Sequence, residues 1–323
     1  MIGTKDKIPL IVIAGPTASG KTKLAVEVSK IYGGEVISAD SMQVYKGMSI
    51  ATAKPDIEEM QGIPHHLLDF LEPETPFSVA DYVKLAQKAV NDIYSRGNIP
   101  VLCGGTGLYI SSLINNVKFD DTSGNREIRE RLEKEAEQKG SRALWERLRE
   151  IDEETALKVH ENNIPRVIRA LEVYEITGIK LSVHKANSRR EETPYKSCII
   201  GIDFSDRQIL YDRINQRVDI MIEKGLVEEA RGFYESCIPA TACQAIGYKE
   251  LIPYFENKSE LSVCIDKIKQ ETRRYAKRQL TWFRRVDGIQ WVIADKIGEY
   301  KNSCRSKRLE RSNLYSSSTI SRW

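Results

Sequence analysis

The chain has 323 residues, 41% of them hydrophobic, with 49 Lys and Arg against 46 Asp and Glu for a net charge of +3. That length is long for one domain and suits two, and the apolar content supplies ample core. No apolar run approaches the roughly 18–20 residues that span a bilayer, so no membrane association is expected. Six cysteines, at 103, 198, 237, 243, 264 and 304, are scattered with no C-x-x-C pair. This disfavours a zinc ribbon or a disulfide framework and fits a reducing, cytoplasmic setting. Met1–Lys7 run into a first strand by Ile8, which leaves no room for a secretory leader.

In chain order, Ile11-Val12-Ile13-Ala14 reads as a buried strand and Lys21 to Ile31 as a helix. Val36-Ile37-Ser38-Ala39-Asp40 reads as a second strand that ends at a carboxylate. Ser78 to Ser95 is predicted helical, with Ser78 as its N-cap and apolar residues recurring at Val79, Tyr82/Val83, Ala86 and Val90/Ile93. Ile99–Cys103 is a third strand, followed by Gly104-Gly105-Thr106-Gly107 and a short apolar helix from Leu108. Strands spaced by helices imply βαβ units and a parallel sheet.

From Asp120 to Arg190 the texture changes: no convincing strand, many charges, and helical spacing such as Ile164/Val167/Ile168/Leu171/Val173/Tyr174. This predicts a mainly helical insertion. Ser197–Asp203 returns to the sheet, a helix follows from Asp206 to about Phe233, and a basic helix runs from Ser262 to Arg285. Gln290–Ile293 is a last strand, and from Lys301 a Ser- and Arg-rich tail is expected to be disordered. The expected division is 1–117 and 196–300 for the α/β core, 118–195 for the insertion and 301–323 for the tail.

The strand–helix junction Gly15-Pro16-Thr17-Ala18-Ser19-Gly20-Lys21-Thr22 fits G-x-x-x-x-G-K-[ST]. In that context glycines let the backbone curl, its N–H groups cradle phosphate oxygens, and the helix N-terminus adds positive potential. Lys21 would reach the outer phosphates and the Thr22 hydroxyl would ligate Mg²⁺. The pattern alone does not say whether the phosphate is donated, hydrolysed or expelled.

Ligands of open α/β sheets sit beyond the carboxyl ends of the strands. Gly15–Thr22, Asp40-Ser41-Met42-Gln43 and Gly104–Gly107 should therefore face one crevice. Asp40 could hold a metal-bound water, act as a base on an acceptor, or simply cap a turn. Gly104–Gly107 could be a turn needing φ > 0, or could add a phosphate contact through Thr106. Arg213 and Arg217 lie four apart on one helix face and could clamp an anion. Spacing alone favours a solvated face with salt bridges to Asp212 or Glu223.

On the basic helix, Ile265, Ile268, Tyr275, Gln279, Trp282 and Phe283 gather on one arc. Lys267, Lys269, Arg273, Arg274, Lys277, Arg278, Arg284 and Arg285 fill the other side, and from Lys267 to Arg285 only Glu271 opposes them. Such one-sided charge points to a phosphate backbone as partner. The histidines at 65, 66, 160 and 184 lack metal-ligand spacing, and His65-His66 is expected to pack or hydrogen-bond in a loop.

These pieces, taken with Ile37–Met48, Thr52-Ala53-Lys54-Pro55, Pro64–Asp69, Gly104–Tyr109, Arg169–Val173, Gly247–Glu250 and Ala276–Phe283, resemble the tRNA dimethylallyltransferase (tRNA isopentenyltransferase) family of bacterial type. The resemblance covers about residues 8–295 in order. It implies a P-loop NTPase-like α/β fold with a helical inserted domain, and transfer of a dimethylallyl group from dimethylallyl diphosphate to N6 of the tRNA adenosine immediately 3′ of the anticodon. By similarity, Asp40 would deprotonate N6. Thr17, Lys21, Thr22 with Mg²⁺, and Arg217 would neutralise the departing diphosphate, and Thr106 would hold the substrates. The insertion would grip the anticodon stem-loop, with Arg166 and Arg169 near the tRNA. Asp40–Gln43 and the segment carrying Gln244, Gly247, Tyr248 and Lys249 would approach the target base. Arg273, Arg274, Lys277 and Arg278 would meet the RNA backbone. A monomer is expected. Eukaryotic members carry a C-terminal zinc finger, whereas here Cys304 stands alone.

Three other readings share parts of this pattern. An adenylate isopentenyltransferase would act on free nucleotide, but needs neither the insertion nor the basic helix. A small-molecule kinase would use Asp40 to activate an alcohol. An RNA-binding switch would use nucleotide only for control.

Overall fold

The structure, a computed structural model, describes residues 7–119, 125–188, 192–236 and 244–296. In chain order, β1 (Ile8–Ala14), α1 (Lys21–Tyr32), β2 (Gly34–Ser38), α2 (Ile57–Met60), β3 (His65–His66), α3 (Val79–Ser95), β4 (Ile99–Gly104) and α4 (Gly107–Ile114) come first. Helices α5 (Arg126–Lys139), α6 (Ser141–Ile151), α7 (Glu153–Ala156), α8 (Ile164–Thr177) and α9 (Leu181–Asn187) follow. The chain then continues through β5 (Tyr195–Asp203), α10 (Arg207–Glu223), α11 (Leu226–Glu235), α12 (Ile252–Phe255), α13 (Leu261–Phe283) and β6 (Ile289–Ile293). The described residues divide into two compact units, at Leu113/Ile114 and at Pro194/Tyr195.

All six strands pair in parallel, in the order β3-β2-β4-β1-β5-β6. Helices cover both faces of such a sheet, so its inner strands read as continuous apolar runs rather than alternating ones. Leu10, Val12, Ile13, Val36, Ile37, Val101 and Leu102 are all buried accordingly. Helix α3 starts as its sequence predicts. The Ser78 Oγ accepts the Asp81 N–H at 3.2 Å, and the Asp81 carboxylate accepts the Ser78 N–H at 2.9 Å, a reciprocal cap.

The helical unit has its own core, in which Leu132, Leu144, Leu148, Val167, Ile168 and Leu171 pack together. A buried ionic cluster joins its helices. The fully buried Glu172 takes both ends of the Arg129 guanidinium (2.7 and 3.2 Å), Arg169 at 2.6 Å, and the Asn125 N–H at 2.9 Å. Those donors hold the Glu172 carboxyl below its ordinary range against the opposing push of burial, which is the largest single influence on it.

Four sequence expectations change. The second strand ends at Ser38, so Asp40 stands two residues beyond it. The helix expected from Asp206 to Phe233 is two helices, because Gly225 adopts the left-handed conformation (φ 98°) and starts α11 in a new direction. His65-His66 forms a short edge strand rather than a loop, with His66 Nε2 at 2.7 Å from Glu35. Buried positions on α13 include Cys264, Ala276 and Leu280 as well as Ile268, Gln279 and Phe283, while Trp282 remains 38% exposed. The expected tail from Lys301, together with Cys237, Cys243 and Cys304, lies outside the described residues.

Candidate active site

The turn after β1 is built for an anion. Ala18 and Gly20 adopt left-handed backbone (φ 60° and 88°), and Gly20 serves as the N-cap of α1 without contributing a side chain. The first turn of α1, carrying Lys21 and Thr22, therefore presents open N–H groups and the positive end of the helix dipole. The Ser19 hydroxyl is buried without a hydrogen-bond partner, the kind of donor that an anionic oxygen would satisfy. Lys21 Nζ donates to the Pro16 carbonyl at 2.6 Å. Burial pulls the Lys21 ammonium down to about 8, with Arg217 adding to the effect and Cys103 and Asp40 opposing it.

Arg213 and Arg217 converge on the same turn. Arg213 Nε donates to the Ala18 carbonyl at 2.9 Å, and its guanidinium sits 5.7 Å from the Phe204 ring centre. Burial lowers the Arg217 value, with Arg213 adding to it while Glu59 and Asp40 oppose it. The expected salt bridges to the Arg213/Arg217 face are not the arrangement found, since Asp212 instead accepts Gln208 at 2.8 Å. Two guanidinium groups and one ammonium so close together make a strongly cationic cradle.

Of the roles the sequence leaves open for Asp40, the turn cap is the one the hydrogen bonds display. The Asp40 Oδ1 accepts the N–H groups of Met42 (2.9 Å) and Gln43 (3.3 Å), folding the chain into a tight turn. The carboxylate also lies close enough to act electrostatically on Lys21, Arg217, Cys103 and Tyr275. Beneath this turn Tyr82 donates to the Ser38 carbonyl at 3.0 Å and stacks on Tyr109, ring centres 3.9 Å apart. Gln43 spends its side chain internally: its amide donates to the carbonyls of Thr52 (3.1 Å) and Ala53 (3.2 Å), and its Oε1 accepts Ser38 Oγ at 3.1 Å.

The Gly104–Gly107 loop corrects another expectation. None of its three glycines has positive φ. They are needed for close approach instead. A Cβ at Gly104 would fall 2.2 Å from the Ala39 carbonyl oxygen, at Gly105 2.1 Å from Gln279 Nε2, and at Gly107 2.3 Å from the Trp282 ring. Thr106 Oγ1 accepts the Ser41 N–H at 3.0 Å, and the Thr106 N–H donates to Ala39 at 3.0 Å. Thr106 therefore braces the Asp40 turn.

The remaining expected RNA-facing residues divide. Lys277 and Arg278 on α13 and Arg166 on α8 are exposed. Arg273 donates to Asn215 (2.5 Å) and Arg274 pairs with Glu271 (2.6 Å). On the same helix, Lys267 pairs with Glu271 (3.3 Å), Lys269 with Asp219 (2.6 Å) and Arg284 with Asp203 (3.1 Å). Arg169 belongs to the Glu172 cluster. Tyr248 is buried, stacks on Phe233 at 5.1 Å, and donates to Glu229 at 2.8 Å. The Gly247 N–H donates to Glu250 at 2.8 Å, while Lys249 and Gln244 are exposed.

Two residues given no individual role by the sequence hold loops in place. Gln279 accepts the Thr17 N–H at 2.9 Å and donates to the Gly105 carbonyl at 3.1 Å. Glu229 accepts three successive N–H groups, of Ser49 (3.0 Å), Ile50 (2.8 Å) and Ala51 (3.0 Å). Gln279 lies within the Ala276–Phe283 segment of the resemblance and on the apolar arc of its helix, but neither feature tells which groups it bonds.

No group of three His, Cys, Asp or Glu able to hold a metal occurs among the described residues. A magnesium ion that keeps waters and substrate phosphates as its main ligands needs only one or two protein oxygens. Thr22, half-buried in the first turn of α1, fits that requirement.

The parallel sheet, the phosphate turn and the cationic cradle define a P-loop-type α/β protein that binds a phosphorylated ligand at its strand ends. The family model described as IPP transferase matches residues 43–286. The tRNA dimethylallyltransferases of Thermoanaerobacter sp. (strain X514) and Acetivibrio thermocellus are 52% and 50% identical, over 91% and 89% of this chain and 94% and 92% of theirs. The full-length tRNA isopentenylpyrophosphate transferase of Bacillus halodurans superposes with a TM-score of 0.67 at 44% identity, covering 96% of this chain and 99% of that one. A eukaryotic dimethylallyltransferase acting on tRNA superposes with a TM-score of 0.77 at 32% identity, covering 95% and 79%. The chain belongs to the IPP transferase family.

Proposed function

We propose that this prenyltransferase moves a dimethylallyl group from dimethylallyl diphosphate to N6 of the tRNA adenosine immediately 3′ of the anticodon, giving N6-isopentenyladenosine and diphosphate. The observation that carries the reading is the meeting of an anion cradle (Gly15–Thr22, Arg213, Arg217) with a carboxylate, Asp40, at the carboxyl ends of β1 and β2, which β4 separates, close enough for Asp40 to act electrostatically on Lys21 and Arg217. A cradle that holds a leaving diphosphate needs no phosphoryl acceptor.

In this reading the bond from the dimethylallyl carbon to the diphosphate oxygen breaks and a bond from that carbon to N6 forms. The N6 lone pair is delocalised into the ring, so the amine needs help. Asp40 takes the N6 proton, its orientation fixed by the Met42 and Gln43 N–H groups. Charge grows on the departing diphosphate, beside which Lys21, Arg213, Arg217 and the α1 N–H groups gather around the Gly15–Thr22 turn. Preorganised donors at developing charge are usually the largest single catalytic contribution. Thr22 would hold Mg²⁺, which when bound supplies further neutralisation of the diphosphate. Thr17 and Thr106 would set the two loops against the substrates. The adenine must leave its stack to reach the site, at a cost of a few kcal/mol.

The helical unit is assigned to the anticodon stem-loop, with Arg166 among its exposed cations, and α13 offers Lys277 and Arg278. The enzyme is taken to be a cytoplasmic monomer. Free Cys103, Cys198 and Cys264 suit a reducing compartment, and no described helix is long and apolar enough to cross a membrane.

Mass spectrometry of nucleosides from an unmodified anticodon stem-loop incubated with dimethylallyl diphosphate tests this. The expected product is N6-isopentenyladenosine. Comparable turnover of AMP would replace the RNA substrate with a free nucleotide. Transfer of the γ-phosphate of radiolabelled ATP would make the protein a kinase.

A further inference from the structure

Helix α13 carries a polar stripe on the side that faces the strand ends. Tyr275, Gln279 and Trp282 lie at spacings of four and three, so they stack along one face. Each meets an active-site loop. Tyr275 lies close to Thr106 and Gln279 and feels the Asp40 charge. Trp282 covers Gly107 and donates to Ser111 Oγ at 3.0 Å. Gln279, only 5% exposed, makes the central link between the Thr17 N–H and the Gly105 carbonyl.

We infer that Gln279 is a positioning residue for the transfer, the tie that sets the diphosphate loop against the loop that braces Asp40. The inference rests on the proposed prenyl transfer for the identity of the two loops. Physically, neither loop is held to the other by the sheet alone. β1 and β4 are neighbours, but both loops leave the ladder before Thr17 and Thr106. A primary amide is a neutral side chain that can accept from one backbone and donate to another in a single plane. It does so without placing a charge beside the diphosphate. Gln279 itself is buried, so losing a bond leaves polar groups with few alternative partners, and small shifts between reacting groups are costly in rate. Gly105 belongs to the same device: a side chain there would occupy the amide's place.

The test is steady-state kinetics of full-length Gln279→Met, Gln279→Glu and Gly105→Ala with stem-loop RNA and dimethylallyl diphosphate. Gln279→Met keeps the shape and removes both bonds. The expected result is a kcat lower by about 10- to 100-fold, the rate equivalent of leaving such buried groups unpaired, with stem-loop Kd within about threefold. Gln279→Glu keeps the acceptor for Thr17 but faces the Gly105 carbonyl with a carboxylate, and should be at least as slow, with a raised KM for dimethylallyl diphosphate. Gly105→Ala should reproduce the kcat loss. Combined with Gln279→Ala, which vacates the space, it should add less than about twofold. Full kcat in Gln279→Met, or strictly multiplicative losses in the double variant, would overturn the inference. Loss of RNA affinity at unchanged kcat would make Gln279 an RNA contact instead. Wild-type protein that does not prenylate the stem-loop defeats the functional reading itself, a result distinct from all of these.

Discussion

Asp40 Oδ1 accepts the Met42 N–H at 2.9 Å, so the residue proposed as the base is also the residue that folds its own loop. The two roles predict different outcomes for different substitutions. Asp40→Asn keeps an oxygen for Met42 and Gln43 but removes the proton acceptor. Turnover should fall by about 10²- to 10⁴-fold while RNA binding persists, as read by filter binding beside a kinetic assay. Asp40→Ala also frees two N–H groups, costing about 1 kcal/mol or more, so it confounds chemistry with loop folding. An active Asp40→Asn variant would remove Asp40 as the base.

Lys21 predicts a proton linkage. Its folded value, about 8, lies below the ordinary 10.5 because burial disfavours the ammonium. The folded protein therefore sheds this proton before the unfolded chain does. The stability penalty is fully present below about pH 8 and is relieved as pH rises from about 8 towards 10.5. A diphosphate in the cradle stabilises the ammonium, so binding near pH 8.5 should take up protons (the pH chosen to sit just above the value of about 8). Isothermal titration with inorganic diphosphate in two buffers of different ionisation enthalpy measures that uptake. Identical heats in both buffers, or the same uptake in Lys21→Met, would show that Lys21 does not titrate with the ligand.

The division of cations on α13 predicts which ones matter for RNA. Arg274 is held by Glu271 and Lys269 by Asp219, whereas Lys277 and Arg278 stand exposed. Lys277→Glu with Arg278→Glu should weaken stem-loop binding about tenfold or more and flatten the slope of log affinity against log salt by roughly one to two. Arg274→Glu should do less. Equal effects from both sets would mean that only the net charge of the helix counts.

Glu229 predicts a stability defect rather than a chemical one. It caps Ser49, Ile50 and Ala51 and accepts Tyr248. Glu229→Gln replaces one acceptor oxygen with a donor facing donors. It should lower the free energy of unfolding by about 2 kcal/mol, with Tyr248→Phe costing about 1 kcal/mol, both measured by urea denaturation. Because they share one carboxylate, the two losses should not add in full. In the helical unit, Glu172→Ala should cost about 1–3 kcal/mol, because the Asn125 N–H and the half-exposed Arg129 and Arg169 lose one shared, fully buried acceptor.

The sequence by itself determined the elements whose cause is local. Apolar runs between turns marked β1, β2, β4 and β5, because a strand covered on both faces has no polar alternation to confuse it. Ser78 and Asp81 marked the start of α3 because a cap is satisfied within one turn. Gly15–Thr22 marked an anion site because its backbone geometry is encoded in eight successive residues. The break at Gly225 was missed because a glycine inside a helical pattern is ambiguous until tertiary packing selects its conformation. Only the tertiary structure decided which polar residues reach a ligand and which are spent inside. Gln43, Tyr248 and Arg273 each bond to protein groups 9, 19 and 58 positions away in the chain. Gln279 ties Thr17, 262 positions away, to a loop it must also clear sterically. Hydrogen bonds and contacts between residues far apart in the chain leave no periodicity, so their existence follows from packing.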